Sequence, residues 1–450
     1  MTNMSPSSSP LDPNARSTAP APTFTVQVDR TLVRAESRST RFALVSVAAP
    51  EAPRHAQRIP VNIAIVLDRS GSMAGQKFIL ARRAVEQALE QLQSGDRFAL
   101  VVYDDAVDVL AESTLATVDA KRGALAELAR LEPRGSTDLS GGWMRGCEQV
   151  AFAMSANARS NGASINRCLL LTDGLANRGI TDRDELIMHA SALRARGVQT
   201  STFGVGADFD ERLLAGMADA GGGHFYFLAD ASQIPELIAS EVGEALEVVV
   251  RSAMLEAQLP HGMTGKVLGR FKSRTAEAED GTSTLSIDIG DLVSAQELKL
   301  VVALEFPKAR DRHEIDVEIR ITSDAHFSSP AERLRFIFAP HADNDRQPRN
   351  RVVDRRVATL FGERARSEAL EYQRAGHYER ARAVLAATAA RIRQYAADDA
   401  ELNHIADELL RDVEAHTNAP MPAMEMKERY FKSYAVASSR APSGKANRKM

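Results

Sequence analysis

The chain has 450 residues, more than one hydrophobic core usually supports, so it is expected to divide into about two to four domains. Hydrophobic residues make up 44% and charged residues 26%, a globular composition, and a net charge of -4 gives no general basis for binding nucleic acid. The two cysteines, Cys147 and Cys168, are too few for a disulfide framework or a four-ligand zinc site and are expected to be free thiols in a reducing cytoplasm.

Residues 1–22 are rich in Ser, Pro and Ala and read as a disordered leader. They lack the apolar core of roughly 7 to 15 residues that a secretory signal needs. No later run reaches the roughly 20 apolar residues of a membrane span. Within residues 23–60, Phe24 to Val28 and Phe42 to Val47 alternate as half-buried strands do. Residues 61–250 change to a pattern of apolar strand, amphipathic helix and apolar strand, which predicts an α/β unit with a doubly wound, mostly parallel six-stranded sheet. Its first helix carries Phe78, Ala81, Val85, Ala88, Leu89 and Leu92 as one stripe.

Residues 251–345 return to alternation and predict strands at Met254 to Leu259, Ser283 to Ile289, Leu298 to Phe306, Ile315 to Ile321 and Leu334 to Ala339. Two strands before Val61 have no core of their own, so they are expected to join these later strands in one β-sandwich that the α/β unit interrupts. Residues 351–416 show helical periodicity on both sides of Gly376 and predict a helical hairpin or bundle. Residues 417–450, with Pro, Ser and scattered Lys and Arg, are expected to be a flexible tail.

The most informative stretch is the junction of the apolar run Val61 to Leu67 with Asp68-Arg69-Ser70-Gly71-Ser72-Met73. Every second oxygen of a loop leaving a strand can converge on one point, as a small hard cation requires. Alone, an aspartate with two serines is as common in caps and turns. Two further pieces add to it: Thr137 in a loop that opens a helix, and Asp173 at the end of the buried strand Leu169 to Thr172. Both fall where a parallel sheet gathers functional loops.

With these residues the chain resembles the von Willebrand factor type A domain, and more loosely bacterial type A proteins with flanking β regions and inter-alpha-trypsin-inhibitor-like chains. The resemblance implies a Rossmann-like fold over about Val61 to Val250 and a metal-ion-dependent adhesion site. On that pattern Asp68, Ser70 and Ser72 occupy the first loop, Thr137 the second and Asp173 the third. It further implies Mg²⁺, with Mn²⁺ or Ca²⁺ as substitutes, completed by an exposed Asp or Glu of a partner protein that the sequence does not identify. The chemistry agrees, since an all-oxygen ligand set selects a hard cation and two carboxylates only neutralise it. Without the ion, the two carboxylates would repel by roughly 2 to 4 kcal/mol at about 4 to 8 Å and an effective dielectric near 20.

An enzyme is not expected. A haloacid-dehalogenase-type phosphatase needs a second carboxylate where Ser70 stands, and the chain has no phosphate-binding P-loop, no HExxH zinc helix and no GxSxG elbow. A second non-enzymatic reading is an accessory subunit of an ATPase chaperone or chelatase complex, whose ATPase would be a separate chain. Other candidates are read conservatively: His224 and Trp143 as structural, Asp104, Asp105 and Asp108 as a solvated turn, and Arg69 and Asp138 as part of the site's rim.

Overall fold

The computed structural model describes residues 21–52, 58–158, 164–324, 327–416 and 419–448. The first elements of the described residues are the strands β1 (Thr23–Val28), β2 (Leu32–Arg34) and β3 (Ser39–Ala48). Residues 1–20 of the expected leader lie outside the described residues.

The α/β unit follows in the order β4 (Val61–Asp68), α1 (Gln76–Gln91), β5 (Arg97–Tyr103), β6 (Val107–Leu115), α2 (Val118–Ala129), α3 (Leu139–Ala158), β7 (Ile165–Thr172), α4 (Arg183–Ala195), β8 (Gln199–Val205), α5 (Glu211–Gly221), β9 (Gly222–Leu228) and α6 (Ile234–Leu246). Its strands lie in the order β6-β5-β4-β7-β8-β9, and β6 alone runs antiparallel. β4 is buried at all its positions because helices cover both faces of the sheet. Ile63, Ile65 and Leu67 meet the α1 stripe on one face, while Ala64 and Val66 meet Trp143, Cys147 and Val150 of α3 on the other. Gly146 permits the second contact, since a Cβ there would fall 2.3 Å from Val66. The chain proceeds from β4 to β5 on one side and returns to β7 on the other, so the winding reverses at β4 and a crevice opens at the C-terminal ends of β4 and β7.

After α6 come β10 (Val248–Leu259), β11 (Thr264–Leu268), β12 (Ser273–Glu277), β13 (Ser283–Val293), β14 (Glu297–Phe306), β15 (Glu314–Thr322) and β16 (Glu332–Ala339). They combine with the first three strands into two sheets, β1-β3-β14-β11 and β12-β13-β10-β15-β16-β2. The pairing of β3 with β14 runs from Ser39 opposite Phe306 to Ala48 opposite Glu297. Between the sheets, Val45, Val302, Leu255, Ile319 and Phe336 form one apolar core. β2, β11 and β12 are additions to the strands read from alternation, being short or, in β12, exposed throughout.

Among the described residues five helices follow: α7 (His341–Arg346), α8 (Arg351–Arg374), α9 (Tyr378–Ala396), α10 (Ala400–Ala415) and α11 (Ala423–Ala437). The first turns of α8 lay Val353, Val357 and Leu360 over Leu44, Val301 and Ala303 of the sandwich. Farther along, α8 packs with α9 and α10 around Ala365, Leu385, Ile392 and Leu409.

The tail departs from expectation. α11 lies on the α/β unit, with Phe431 and Tyr434 edge-on to Phe225 at ring-centroid separations of 5.8 and 5.5 Å. Lys427 donates to Glu211 at 2.5 Å, and both side chains are nearly buried. These charged residues are anchored by partners remote in sequence, so the local composition that suggests fraying does not govern the segment.

Candidate metal centre

Asp68 is the last residue of β4 and Asp173 follows the last residue of β7, so the sheet delivers both carboxylates to the crevice. They are 0% and 1% exposed, and buried acids are costly unless they are paired or hydrogen-bonded. Asp68 Oδ1 accepts the Ser70 amide at 2.8 Å, and Oδ2 accepts the Thr172 hydroxyl at 2.7 Å, which fixes the loop's exit from the strand. Ser72 Oγ donates to Asp173 Oδ1 at 2.6 Å and stands 3.0 Å from Ser70 Oγ. Because Ser72 spends its proton on Asp173, Ser70 is the donor in that second bond. The first and third loops are thereby one hydrogen-bonded array.

Thr137 reaches the same crevice from the loop before α3. Asn177 Oδ1 accepts the Thr137 amide at 2.9 Å, and the Gly71 amide donates to Gly135 O at 3.3 Å, tying the second loop to its neighbours. A Cβ built on Gly174 would lie 3.8 Å from both Ser72 Oγ and Thr137 Oγ1. The two hydroxyls thus face one point, which the glycine leaves clear.

All five residues read from the sequence therefore border the crevice. Their donors are carboxylate and hydroxyl oxygens without nitrogen or sulfur, a set that fits a small hard cation. Burial pushes the Asp68 carboxyl up to about 6, against the hydrogen bonds from Ser70 and Thr172, and the neighbouring Asp173 charge adds to the rise. The site thus holds negative charge that the surrounding fold does not fully compensate.

Three neighbours were not singled out in the sequence. Thr172 orients Asp68 and Asn177 orients Thr137. Lys77, in the first turn of α1, places Nζ on Asp173 Oδ2 and 3.3 Å from Ser72 O. The signal for Thr172 was its place beside Asp173; a lysine opening a helix reads as part of a solvated face.

Other readings are corrected. Asp104 is 0% exposed and not a solvated turn residue: Arg69 Nε and Arg134 Nε donate to its Oδ2 at 2.8 and 3.0 Å. Arg69 is itself 3% exposed and also reaches Asp108 at 2.8 Å, so it braces the loop from beneath and does not line a rim. Asp138 turns inward to accept Ser140 Oγ and the Gly141 amide, both at 2.9 Å, as a helix cap does. The reading of Trp143 as structural, by contrast, agrees with the fold: it is fully buried and donates to Thr200 Oγ1 at 3.2 Å.

At the opposite end of the sheet, His224, Glu241 and Glu244 each place a possible ligand atom within 4.8 Å of the others. Protein cations already fill that cluster. Arg167 donates to Glu241 at 2.7 Å, and Arg440, from the chain's last segment, donates to Glu244 at 2.7 Å and to His224 Nε2 at 2.8 Å. Since Nε2 accepts, the neutral tautomer with Nδ1–H facing Glu241 fits the geometry, and two carboxylates meet two guanidinium groups.

The model of the von Willebrand factor type A domain matches residues 62–240. This stretch is a type A domain. A protein of Escherichia coli called YfbK is 25% identical over 255 residues, 56% of this chain and 43% of its own length. Inter-alpha-trypsin inhibitor heavy chain H1 of Sus scrofa is 34% identical over 151 residues, 32% of this chain and 16% of its own. The chain thus spans less than half the length of these two relatives. Among solved structures, a von Willebrand factor type A protein from Catenulispora acidiphila superposes with a TM-score of 0.70 at 17% identity, over 95% of this chain and 99% of that one. The ArnB paralog VWA2 from Sulfolobus acidocaldarius does so with a TM-score of 0.56 at 15% identity, over 92% and 99%. At these identities the likeness concerns the fold, which includes the sandwich and the terminal helices. Among the described residues no helix is long and apolar enough to cross a membrane.

Proposed function

We propose that Asp68, Ser70, Ser72, Thr137 and Asp173 hold a divalent cation, Mg²⁺ by preference, and that an Asp or Glu of a partner protein completes its ligand set. The observation that carries this reading is the array joining Ser70, Ser72 and Asp173 beside a buried Asp68 whose carboxyl is pushed up to about 6. Two carboxylates and a dication sum to zero, so the bound ion would remain a Lewis acid able to take one more anionic oxygen. That ion supplies polarisation; the chain's own residues supply position, with Thr172 aligning Asp68 and Asn177 aligning Thr137. Type A domains often serve protein interactions through such a site, which supports binding over catalysis. Cys147 and Cys168, both buried and free, support placing the protein in a reducing compartment, the cytoplasm.

Isothermal titration with Mg²⁺ tests the cation, and the expected outcome is one site that disappears in Asp173→Asn. Affinity capture with and without a chelator tests the partner. Partners that elute on chelation bear out the bridge, and a partner set indifferent to chelation sinks it.

A further inference from the structure

The two site carboxylates share a single ion-pairing cation among the described residues, the ammonium of Lys77. Arg69, the nearest alternative in sequence, is committed to Asp104 and Asp108. The Lys77 side chain arises at the second position of α1, and helical side chains lean toward the helix N-terminus, which here points it back across Ser72. It ends on Asp173 Oδ2, while Oδ1 of the same carboxylate receives Ser72. Asp173 is fully buried on its side-chain atoms, whereas Lys77 keeps 31% of its side-chain surface in solvent. One partner is therefore fixed and the other is tethered by a flexible stem that can leave.

We infer that Lys77 is an affinity-setting counter-cation of this site, competing with the divalent ion for Asp173. The inference rests on the reading of Asp68 and Asp173 as cation ligands. A dication drawn to Asp173 meets a like charge already seated there, so the ammonium must withdraw for the ion to bind tightly. The same lysine protects the fold when the ion is scarce, because a buried carboxylate stripped of its partner is costly. Lys77 thus exchanges stability of the ion-free protein against affinity for the ion. It also fixes a concentration below which the site presents no metal to a partner.

The test uses the full chain, wild type, Lys77→Met and Lys77→Arg, titrated calorimetrically with MgCl₂ and melted in chelator. Lys77→Met is expected to bind Mg²⁺ roughly tenfold more tightly or better, the effect of removing one like charge near a dication at an effective dielectric near 20. Lys77→Arg, which keeps the charge, is expected to stay within about threefold of wild type on the same reasoning. In chelator Lys77→Met should melt below wild type, and saturating Mg²⁺ should close the gap. If wild type binds Mg²⁺ and Lys77→Met binds it equally or less tightly, the lysine proposal falls and the cation site stands. If neither protein binds Mg²⁺, both fall. Binding by Lys77→Met alone would show the lysine to be a stronger competitor than argued.

Discussion

Two pairs of buried carboxylates lie at opposite ends of one mostly parallel sheet and are neutralised differently. Glu241 and Glu244, at the end where the strands begin, face Arg167 and Arg440, with Ser201 and Tyr226 donating to Glu241 at 2.7 Å each. Asp68 and Asp173, where β4 and β7 finish, have hydroxyl donors and, on Asp173, one partly exposed lysine. Proximity of ligand atoms does not separate the two, since the glutamate cluster is also tight enough for a metal. Charge separates them: the glutamate pair is balanced by groups that cannot leave, and the aspartate pair is left with a deficit that a mobile cation can fill. The first is a structural lock, and the second is the pair proposed to hold a cation.

The contrast can be broken most severely at Arg440. Arg440→Ala would leave Glu244 buried without its cation, and chemical denaturation should show a loss of about 3 to 5 kcal/mol. A smaller loss would mean that the tail is peripheral to the lock. At the other end, the ion-free protein should respond to pH through Asp68. Its carboxyl, ordinarily at 3.8 and pushed up to about 6, binds a proton more tightly in the folded state than in the unfolded state. The folded state is therefore favoured as pH falls from about 6 to about 4 and loses this contribution as pH rises through 6. About 2 units correspond to about 3 kcal/mol, to be read as the difference between wild type and Asp68→Asn melts in chelator.

Mg²⁺ should reverse that penalty near neutral pH. At about one hundred times the dissociation constant it adds about 2.7 kcal/mol, visible as a rise in melting temperature that is absent in Asp173→Asn. Arg440→Ala should retain the rise if the two ends are energetically separate. The subtlest case is Gly174→Ala. Its new methyl makes only ordinary contacts, 3.8 Å from Ser72 Oγ and Thr137 Oγ1, so stability should change by under about 0.5 kcal/mol while Mg²⁺ binding weakens measurably. Equal Mg²⁺ affinity would move the ion away from that point.

Much of this was legible in the residues, for reasons that differ along the chain. β4 and β7 read clearly because strands covered on both faces become near-continuous apolar stretches, here Ile63 to Leu67 and Cys168 to Leu171. The five candidate residues can be read as one group because they occur in three short segments, each keyed to a strand or helix end. β12 was illegible because it is exposed at every position and carries no alternation. α11 and the segment after it were misread since their charged residues, Lys427 and Arg440, find partners at Glu211 and Glu244, about two hundred positions upstream. Lys77 was missed for a related reason, as its partner Asp173 becomes a neighbour only after the sheet closes β4 against β7.

The interleaving of the sandwich with the α/β unit also constrains how the protein is made. β3 emerges from the ribosome early, yet its partner β14 follows only after the entire type A domain. Until then β3 has β1 on one side and a bare edge on the other, with Leu44 and Val45 ready to pair with any extended chain. A type A domain that folds promptly would hold the two halves of the sandwich near each other and shorten the effective loop that β3 and β14 must close. Synthesis arrested before residue 297 would instead leave an α/β unit trailing a strand whose partner has not yet been made.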